Sequence, residues 1–544
     1  MRRWLMVISV SGLLVGLLAA QPAQATAKSQ ARQRPGVAPL RMAAPPTPRD
    51  AVRSSTEPAV FVSSELECTA TRTGFNTNLD CDDPFPNDEP DVEVDPADPR
   101  HMVASSNDYG SCCDQFYTTF DGGRTWQTGN MSVQDPGRTG SDPVTTFDTR
   151  TGTVLHASLN YTFNEDGTQA CDGDLVVSRS KDGGLHWGKP VVVAGGDGCD
   201  LDPLQLFNDK EFMVTDNNPR SPFYGRTYLT WSRFESASGN YQASPIFVAW
   251  SDNGGKTWSR PREISGANKA ICTFQTAGGV GRCDENQFSV PTVQPDGTVV
   301  VAFQNSQNTA LYESAEEFDN QYLVVRSADG GKTWSRPRFV VGLEDGVNDY
   351  PINVDGRQTL TGQQFRVNSA GNIDADPRTG KLYLVFADNR AGRHDVANPV
   401  TDVNVYLMTS SDGHTWHGPV PVSKAASDQW FPWVDVNPVT GKVGVLYHDR
   451  SYGNPALYNT TLAEGKPGAF ASTKVSTRPS HPKNSIFFQA GVEDCQKCVT
   501  FIGDYNGLDY GRDGKANMAW TDMRRFTTVE DVSGYAQNIF FARR

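Results

Sequence analysis

Beyond its first twenty residues, this 544-residue sequence has no apolar run long enough to cross a membrane. It is also poor in basic clusters. Lys and Arg total 49 against 63 Asp and Glu, for a formal net charge of −14. Binding driven by a phosphate backbone needs clustered Lys and Arg, so nucleic acid is excluded as an expected partner. Regular calcium-loop spacing is missing as well. The acidic stretch from Asp80 to Asp91, and Asp197, Asp200 and Asp202, are grouped without it. No cofactor is expected, and structural calcium at those carboxylates is the weak alternative. Cys495-x-x-Cys498 lacks the second Cys pair or nearby His that would complete a zinc site.

The N-terminus does carry a signal. Met1-Arg2-Arg3 is followed by an apolar run from Leu5 to Ala20 and by the small-x-small triplet Ala23-Gln24-Ala25. This is the pattern of a secretory signal over 1–25, so a secreted, extracellular protein is expected. Residues 26–57 are rich in Pro, Ala, Arg and Gln, too poor in large apolar groups to offset ordering entropy, and read as a disordered leader. The folded domain is then 58–544. Ten cysteines in an exported chain suggest five disulfides. The close pairs are Cys68 with Cys81, Cys272 with Cys283, and Cys495 with Cys498, while the connectivity of Cys112, Cys113, Cys171 and Cys199 stays open.

One pattern recurs five times: Thr119-Phe-Asp121-Gly-Gly-Arg-Thr125-Trp126, Ser180 to Trp187, Ser251 to Trp258, Ser327 to Trp334, and the shorter Ser410-Ser-Asp412-Gly-His-Thr415-Trp416. Equivalent positions are 61, 71, 76 and 83 residues apart, which suits one four-stranded sheet plus loops per repeat. The Asp (Asn253 in the third copy) can accept hydrogen bonds from its own turn. The glycines supply positive φ, and the Trp returns into the sheet. Between these turns, inner-strand segments such as Val92-Glu-Val-Asp-Pro96 and Val434-Asp-Val-Asn-Pro438 alternate with aromatic-x-Asp segments such as Phe386-Ala-Asp388. They mark seven units, beginning near 89, 142, 208, 285, 370, 428 and 500. The last unit has room for three strands, and one from the N-terminal side, such as Ala59-Val-Phe-Val62, would close the ring.

Ser-x-Asp-x-Gly-x-Thr-Trp in five copies resembles the Asp-box, or BNR repeat, of the sialidase superfamily. The resemblance implies an all-β fold, a β-propeller of four-stranded blades, seven by the count above with six as the alternative. It also implies that the boxes lie on outer hairpins of the face opposite the active site. Function is therefore expected where chains enter the first strands and leave the second. Candidates there include Asp88, Glu89, Asp209, Lys210, Glu211, Asp428, Trp430, Asp504 and Tyr505 on entry, and Asn107, Asp388, Arg390, Asp449, Arg450, Asp522 and Arg524 on exit.

A sialidase holds its substrate carboxylate in an arginine cluster and uses an Asp acid with a Tyr nucleophile activated by Glu. By resemblance, Arg390, Arg450 and Arg524 would bind substrate with Trp430, and Asp209, Glu211, Asp504 and Tyr505 would be catalytic. The competing reading of each Arg is a local ion pair with the Asp one or two residues before it. The Arg-Ile-Pro segment of sialidases occurs nowhere in the chain. The expected function is an exo-acting glycoside hydrolase, acting as a monomer on an extracellular glycan or glycoconjugate. The alternative is a non-catalytic propeller that binds glycan or protein.

Overall fold

The computed structural model describes residues 64–544, apart from 165–168, 200–204, 274, 277–278, 307–319, 347–348, 355, 396, 424, 484, 486–500 and 530–531. The expected signal, the leader, the strand Ala59–Val62, Asp200, Asp202 and the pair Cys495 and Cys498 lie outside the described residues. No helix occurs among the described residues, and seven antiparallel blades form a β-propeller. The inner strands, for blades 1 to 7, are Asn87–Val94, Thr139–Asp148, Gln205–Thr215, Asn286–Val293, Ile373–Ala375, Gln429–Val436 and Gly507–Tyr510. Blades 1 to 6 then step outward through three further strands in chain order, and blade 7 through two, its fourth strand coming from the N-terminal side.

The five repeated turns join third to fourth strands of blades 1 to 5 and are closed by their own side chains. In blade 1, Asp121 Oδ1 accepts from the Arg124 and Thr125 amides at 2.8 and 2.9 Å, and Asp121 Oδ2 accepts from the Thr125 hydroxyl at 2.8 Å. Thr119 Oγ1 takes the Gly123 amide at 3.1 Å. Asn253 does the same work in blade 3, accepting from the Thr257 amide at 3.0 Å. Gly123 has φ +78°, and a Cβ there would lie 2.6 Å from the Phe541 ring of blade 7. The glycine is needed for the turn and for close packing against the neighbouring blade. Trp126 and Trp187 are fully buried, whereas Trp258, Trp334 and Trp416 are half-buried.

Closure differs from the expected strand. The outermost strand of blade 7 is Thr77–Asn78, which pairs with Phe540 and Phe541 of Val532–Arg543. Just upstream, Ser64–Thr71 adds a fifth strand to blade 1 by pairing with Thr125–Met131. The Cys68–Cys81 disulfide ties these two N-terminal pieces together. Asp80 then accepts from the Ile539 amide at 2.9 Å and from Asn538 at 3.0 Å. The ring is thus stapled by a short segment whose side chains and disulfide do what a long strand would otherwise do. Cys272–Cys283 forms as expected, and the open set resolves as Cys112–Cys113 and Cys171–Cys199.

Each inner strand pairs on one edge only, so its other edge offers unpaired amides to the channel. Neighbouring blades supply the acceptors. Asp91 takes the Thr145 amide at 2.7 Å, Asp374 the Val436 amide at 3.1 Å, Asp435 the Tyr510 amide at 2.5 Å, and Asp509 the Val94 amide at 2.6 Å. At the other three interfaces hydroxyls meet: Thr146 with Thr215 and Thr230 with Ser289, and Thr292 with the Asp374 carboxylate. Burial raises these carboxyls, to about 6 for Asp374 and about 7 for Asp509, against hydrogen bonds that favour the anion.

Two outcomes follow from this packing. Gly123→Ala combines left-handed strain with a clash and is expected to cost about 2 kcal/mol or more. Gly137→Ala, at φ +88° with nothing within 4 Å of the added Cβ, is expected to cost about 1 kcal/mol; denaturant unfolding of the two variants measures the gap. Because Asp374 and Asp509 hold protons more tightly folded than unfolded, their contribution is complete below the unfolded carboxyl range near pH 4. It is lost as pH rises through about 6 to 7. The melting temperature at pH 5.5 should exceed that at pH 8.5 by several degrees; an equal or higher value at pH 8.5 removes the argument.

Candidate functional site

The channel mouth opposite the repeated turns is built from irregular backbone. In blades 1, 2, 3, 4 and 6 the inner strand carries a bulge, at Asp88/Asp91, Ser141/Val144, Asp209/Phe212, Gln287/Val290 and Trp430/Trp433. At each bulge one non-glycine residue sits in the left-handed region: Glu89 (φ 54°), Asp142 (57°), Lys210 (55°), Phe288 (57°) and Phe431 (51°). Such residues are costly, and their repetition around one opening marks where the fold re-aims side chains.

A small pocket opens there, lined chiefly by Lys210, Phe212, Phe288, Trp433, Asp504 and Tyr505. The rings of Phe212 and Trp433 are 5.1 Å apart, and Tyr505 meets Phe212 edge-on at 5.4 Å. The Lys210 ammonium lies 3.4 Å from the Tyr505 ring centroid and 4.5 Å from that of Phe212. It has no hydrogen-bond partner among the described residues.

Around this cavity lies a buried polar network. Arg366 forms a two-pronged ion pair with Asp504, at 3.2 Å from Nε and 2.6 Å from Nη2, and stacks 4.3 Å over Phe501. Asn368 adds a bond to Asp504 at 3.3 Å. Asn107 Nδ2 donates to Asp88 Oδ1 and to Glu89 Oε2, each at 3.0 Å, while its oxygen accepts the Asp142 amide at 2.8 Å. Burial, reinforced by the Asp504 charge and opposed by bonds from Asn107 and Tyr109, pushes Asp88 up to about 8. Burial and the charge of Asp142 hold Glu89 and Glu211 well above the usual carboxylate range.

The expected site residues divide into three groups. Asp504 and Tyr505 face the cavity. Asp209 and Glu211 are buried at the same mouth, and among the described residues no side chain hydrogen-bonds their carboxylates. Burial, then the nearby Glu89 and Asp142 charges, raise the Tyr505 hydroxyl, the reverse of an activated nucleophile. The third group leaves the site. Arg390 is held by Asp388 at 2.6 Å and donates to Gly342. Arg450 is held by Asp428 at 3.0 Å and donates to Thr361. Arg524 is held by Asp522 at 2.7 Å and donates to Asn76 and Thr477. The three share no partner and tie loops and neighbouring blades, so the arginine cluster expected by resemblance does not form. Trp430 is 1 % exposed and packs on Phe365 and Tyr458 in the core. The aromatic that reaches the cavity is Trp433, three residues on.

Two groups were not anticipated. Arg366 comes from the long connection into blade 5, with no local pattern to announce it. The bulges had a partial signal, because Glu89, Asp142 and Phe431 each precede a proline, and proline inside a strand marks a bulge. Within the acidic stretch from Asp80 to Asp91, three carboxylates are spent on the fold: Asp80 and Asp91 accept as described, and Asp83 takes the Phe85 amide at 2.9 Å. For a metal, one His-carboxylate group stands out among the described residues. Donor atoms of Glu344, Asp349 and His394 lie within 4.8 Å of one another. His394 Nδ1 is 2.5 Å from Asp349 Oδ1, an ion pair complete without an ion.

No family model matches the chain. A sialidase from Micromonospora viridifaciens is 24 % identical over 378 residues, covering 66 % of this chain and 48 % of that protein. A sialidase from Bacteroides fragilis (strain YCH46) is 24 % identical over 344 residues, covering 60 % and 52 %. The chain therefore spans about half the length of the curated relatives it matches. Among solved structures, the leech intramolecular trans-sialidase aligns at a TM-score of 0.39 and 13 % identity, over 71 % of this chain and 68 % of that one. At this low identity, the chain resembles the sialidase superfamily.

Proposed function

We propose that the protein is an extracellular, exo-acting glycoside hydrolase whose site is the channel mouth. One observation carries this reading: a pocket walled by four aromatic rings and edged by Asp504, beside buried carboxyls with raised proton affinity. Aromatic faces stack on sugar rings, and exo action is what the sialidase resemblance implies. The repeated turns, as Asp-boxes, serve the scaffold on the other face.

Glycosidic cleavage needs one carboxylic acid that still holds its proton and one carboxylate. The mouth offers a carboxyl raised by burial and a second carboxylate held in an ion pair. Asp88, raised to about 8, is the acid that protonates the leaving oxygen. Asp504, gripped by Arg366, is the carboxylate that stabilises the positive charge developing on the sugar. Asp209 and Glu211 sit behind them as further buried acids, and Tyr505 serves as a stacking face. The non-catalytic alternative draws on one fact: Asp504 already has both oxygens engaged by Arg366 and Asn368.

A panel of aryl glycosides and oligosaccharides, assayed for released sugar, separates the two. Turnover is expected, with Asp88→Asn lowering kcat about 10²- to 10⁴-fold. Activity should also fall as pH rises through about 8, where Asp88 loses its proton. Saturable binding without product supports the non-catalytic alternative instead. Export is tested separately: the mass of the protein recovered from culture medium should correspond to a chain starting at Thr26, and an intact Met1 would sink it.

A further inference from the structure

We infer that the outer corner of blades 3 and 4, at the end of the molecule away from the mouth, is a binding surface for an acidic polysaccharide. One heptad occurs there twice, as Lys256-Thr-Trp-Ser-Arg260-Pro-Arg262 and Lys332-Thr-Trp-Ser-Arg336-Pro-Arg338. Each runs out of its blade's repeated turn into the outermost strand, Arg262–Glu263 or Arg338–Leu343. All six cations are exposed, and none has a carboxylate partner among the described residues. The three acids that flank them are spent elsewhere. Asp252 pairs with Arg226 at 2.7 Å, Glu263 pairs with Arg282 at 2.6 Å, and Asp329 closes its own turn by accepting the Thr333 amide at 2.8 Å. The two heptads abut, because the Arg262 guanidinium donates to the Lys332 carbonyl on the turn of blade 4. Positive charge continues toward blade 5. Arg326 Nη1 lies 2.6 Å from His414 Nε2, and burial, then the charges of Arg326 and Arg338, lower the proton affinity of that imidazole.

The chain as a whole carries −14, but charge beyond a Debye length of about 8 Å is screened at physiological salt. The acidic mouth lies a strand length away, about 17 to 20 Å, so a polyanion at the corner meets the cations rather than the net charge. Four of the six are Arg, whose planar fork holds an oxyanion by two parallel bonds. A flexible anionic chain can follow the convex rim of a propeller from one blade to the next. Duplex DNA, stiff over about 50 nm, touches such a rim only tangentially. Single-stranded nucleic acid is gripped by rows of exposed aromatic rings. Here Trp258 and Trp334 are half-buried, and Phe339, at 48 % exposed, is a lone open ring. The partner that fits is a polysaccharide with carboxylate or sulfate groups along its length. Held at this corner, it leaves the mouth open.

The test is equilibrium binding of the whole protein, at neutral pH and physiological salt, to alginate, dextran sulfate, uncharged dextran and duplex DNA. Alginate or dextran sulfate should bind, the pair reporting whether carboxylate or sulfate is preferred, and dextran should not. Raising salt from about 50 to about 200 mM should weaken binding about 10²-fold, as counterion release from about four contacts requires. The variant with Lys256→Gln, Arg260→Gln, Arg336→Gln and Arg338→Gln should bind about tenfold more weakly or worse. A control with Lys442→Gln, Lys466→Gln, Arg512→Gln and Lys515→Gln removes the same charge from exposed sites on blades 6 and 7, and should lose about threefold or less. If the first variant does not fold, Arg260→Gln with Arg336→Gln alone is expected to act in the same direction. Equal losses in variant and control reduce the effect to net charge and overturn the site, as does failure of both anionic polysaccharides to bind. Duplex DNA bound as tightly as the polysaccharides overturns the choice of partner.

Discussion

The innermost edge of each blade sets the terms for the rest of the molecule. A strand that faces a channel has amides that no further strand can pair, and leaving them unmet in a narrow tunnel is costly. Here the acceptor comes from the adjoining blade, as a carboxylate at four interfaces, while hydroxyl contacts link the other three. The solution closes the ring through side chains and also concentrates acid along the axis. Much of the inner-strand acidity is therefore a consequence of the architecture, and carboxylates alone do not mark the chemistry.

What separates mouth from axis is the bulge. Below it, Asp91 and Asp435 each hold a backbone amide of the next blade. Above it, Asp209 and Glu211 hold no amide of a neighbouring blade. The extra residue in each bulged strand turns the chain through the left-handed region and ends the regular pairing, so side chains there are released from the ladder. Acid that serves the fold gives way, within a few residues, to acid that ties no neighbouring blade. The same step brings Lys210 onto the aromatic rings.

This step also explains which parts of the protein were legible in its sequence. The five turns close on their own residues, so a local pattern announced them, and the recurring inner-strand and aromatic-x-Asp segments marked the seven units. Contacts that close the ring were not legible in the same way. Thr77–Asn78 is two residues long, and its hold on blade 7 depends on Asp80 and a disulfide. Trp430 was expected at the mouth because it stands where the chain enters an inner strand. That strand is bulged between Trp430 and Trp433, and Trp430 enters the core while Trp433 lines the pocket. The three arginines fell to a simpler cause: each follows an Asp by two residues or faces one across the hairpin, and the ion pair is the nearest use of its charge.

Arg366 completes the contrast with the superfamily the chain resembles. It is the guanidinium at the mouth that touches the cavity's own carboxylate, and it reaches Asp504 from a connection two blades away. In a site meant to hold a substrate carboxylate, such a group would be left open. In this one it is satisfied from within, 6 % exposed, and covered by Phe501. The arrangement fixes one carboxylate in place while burial keeps Asp88 protonated beside it. A propeller that lacks the arginine cluster thus still sets the ion-paired Asp504 carboxylate at one small aromatic pocket, with the buried Asp88 carboxyl, raised in proton affinity, in the surrounding network. Acid–base chemistry on a sugar needs such a pair, and it does not require the sugar to be charged.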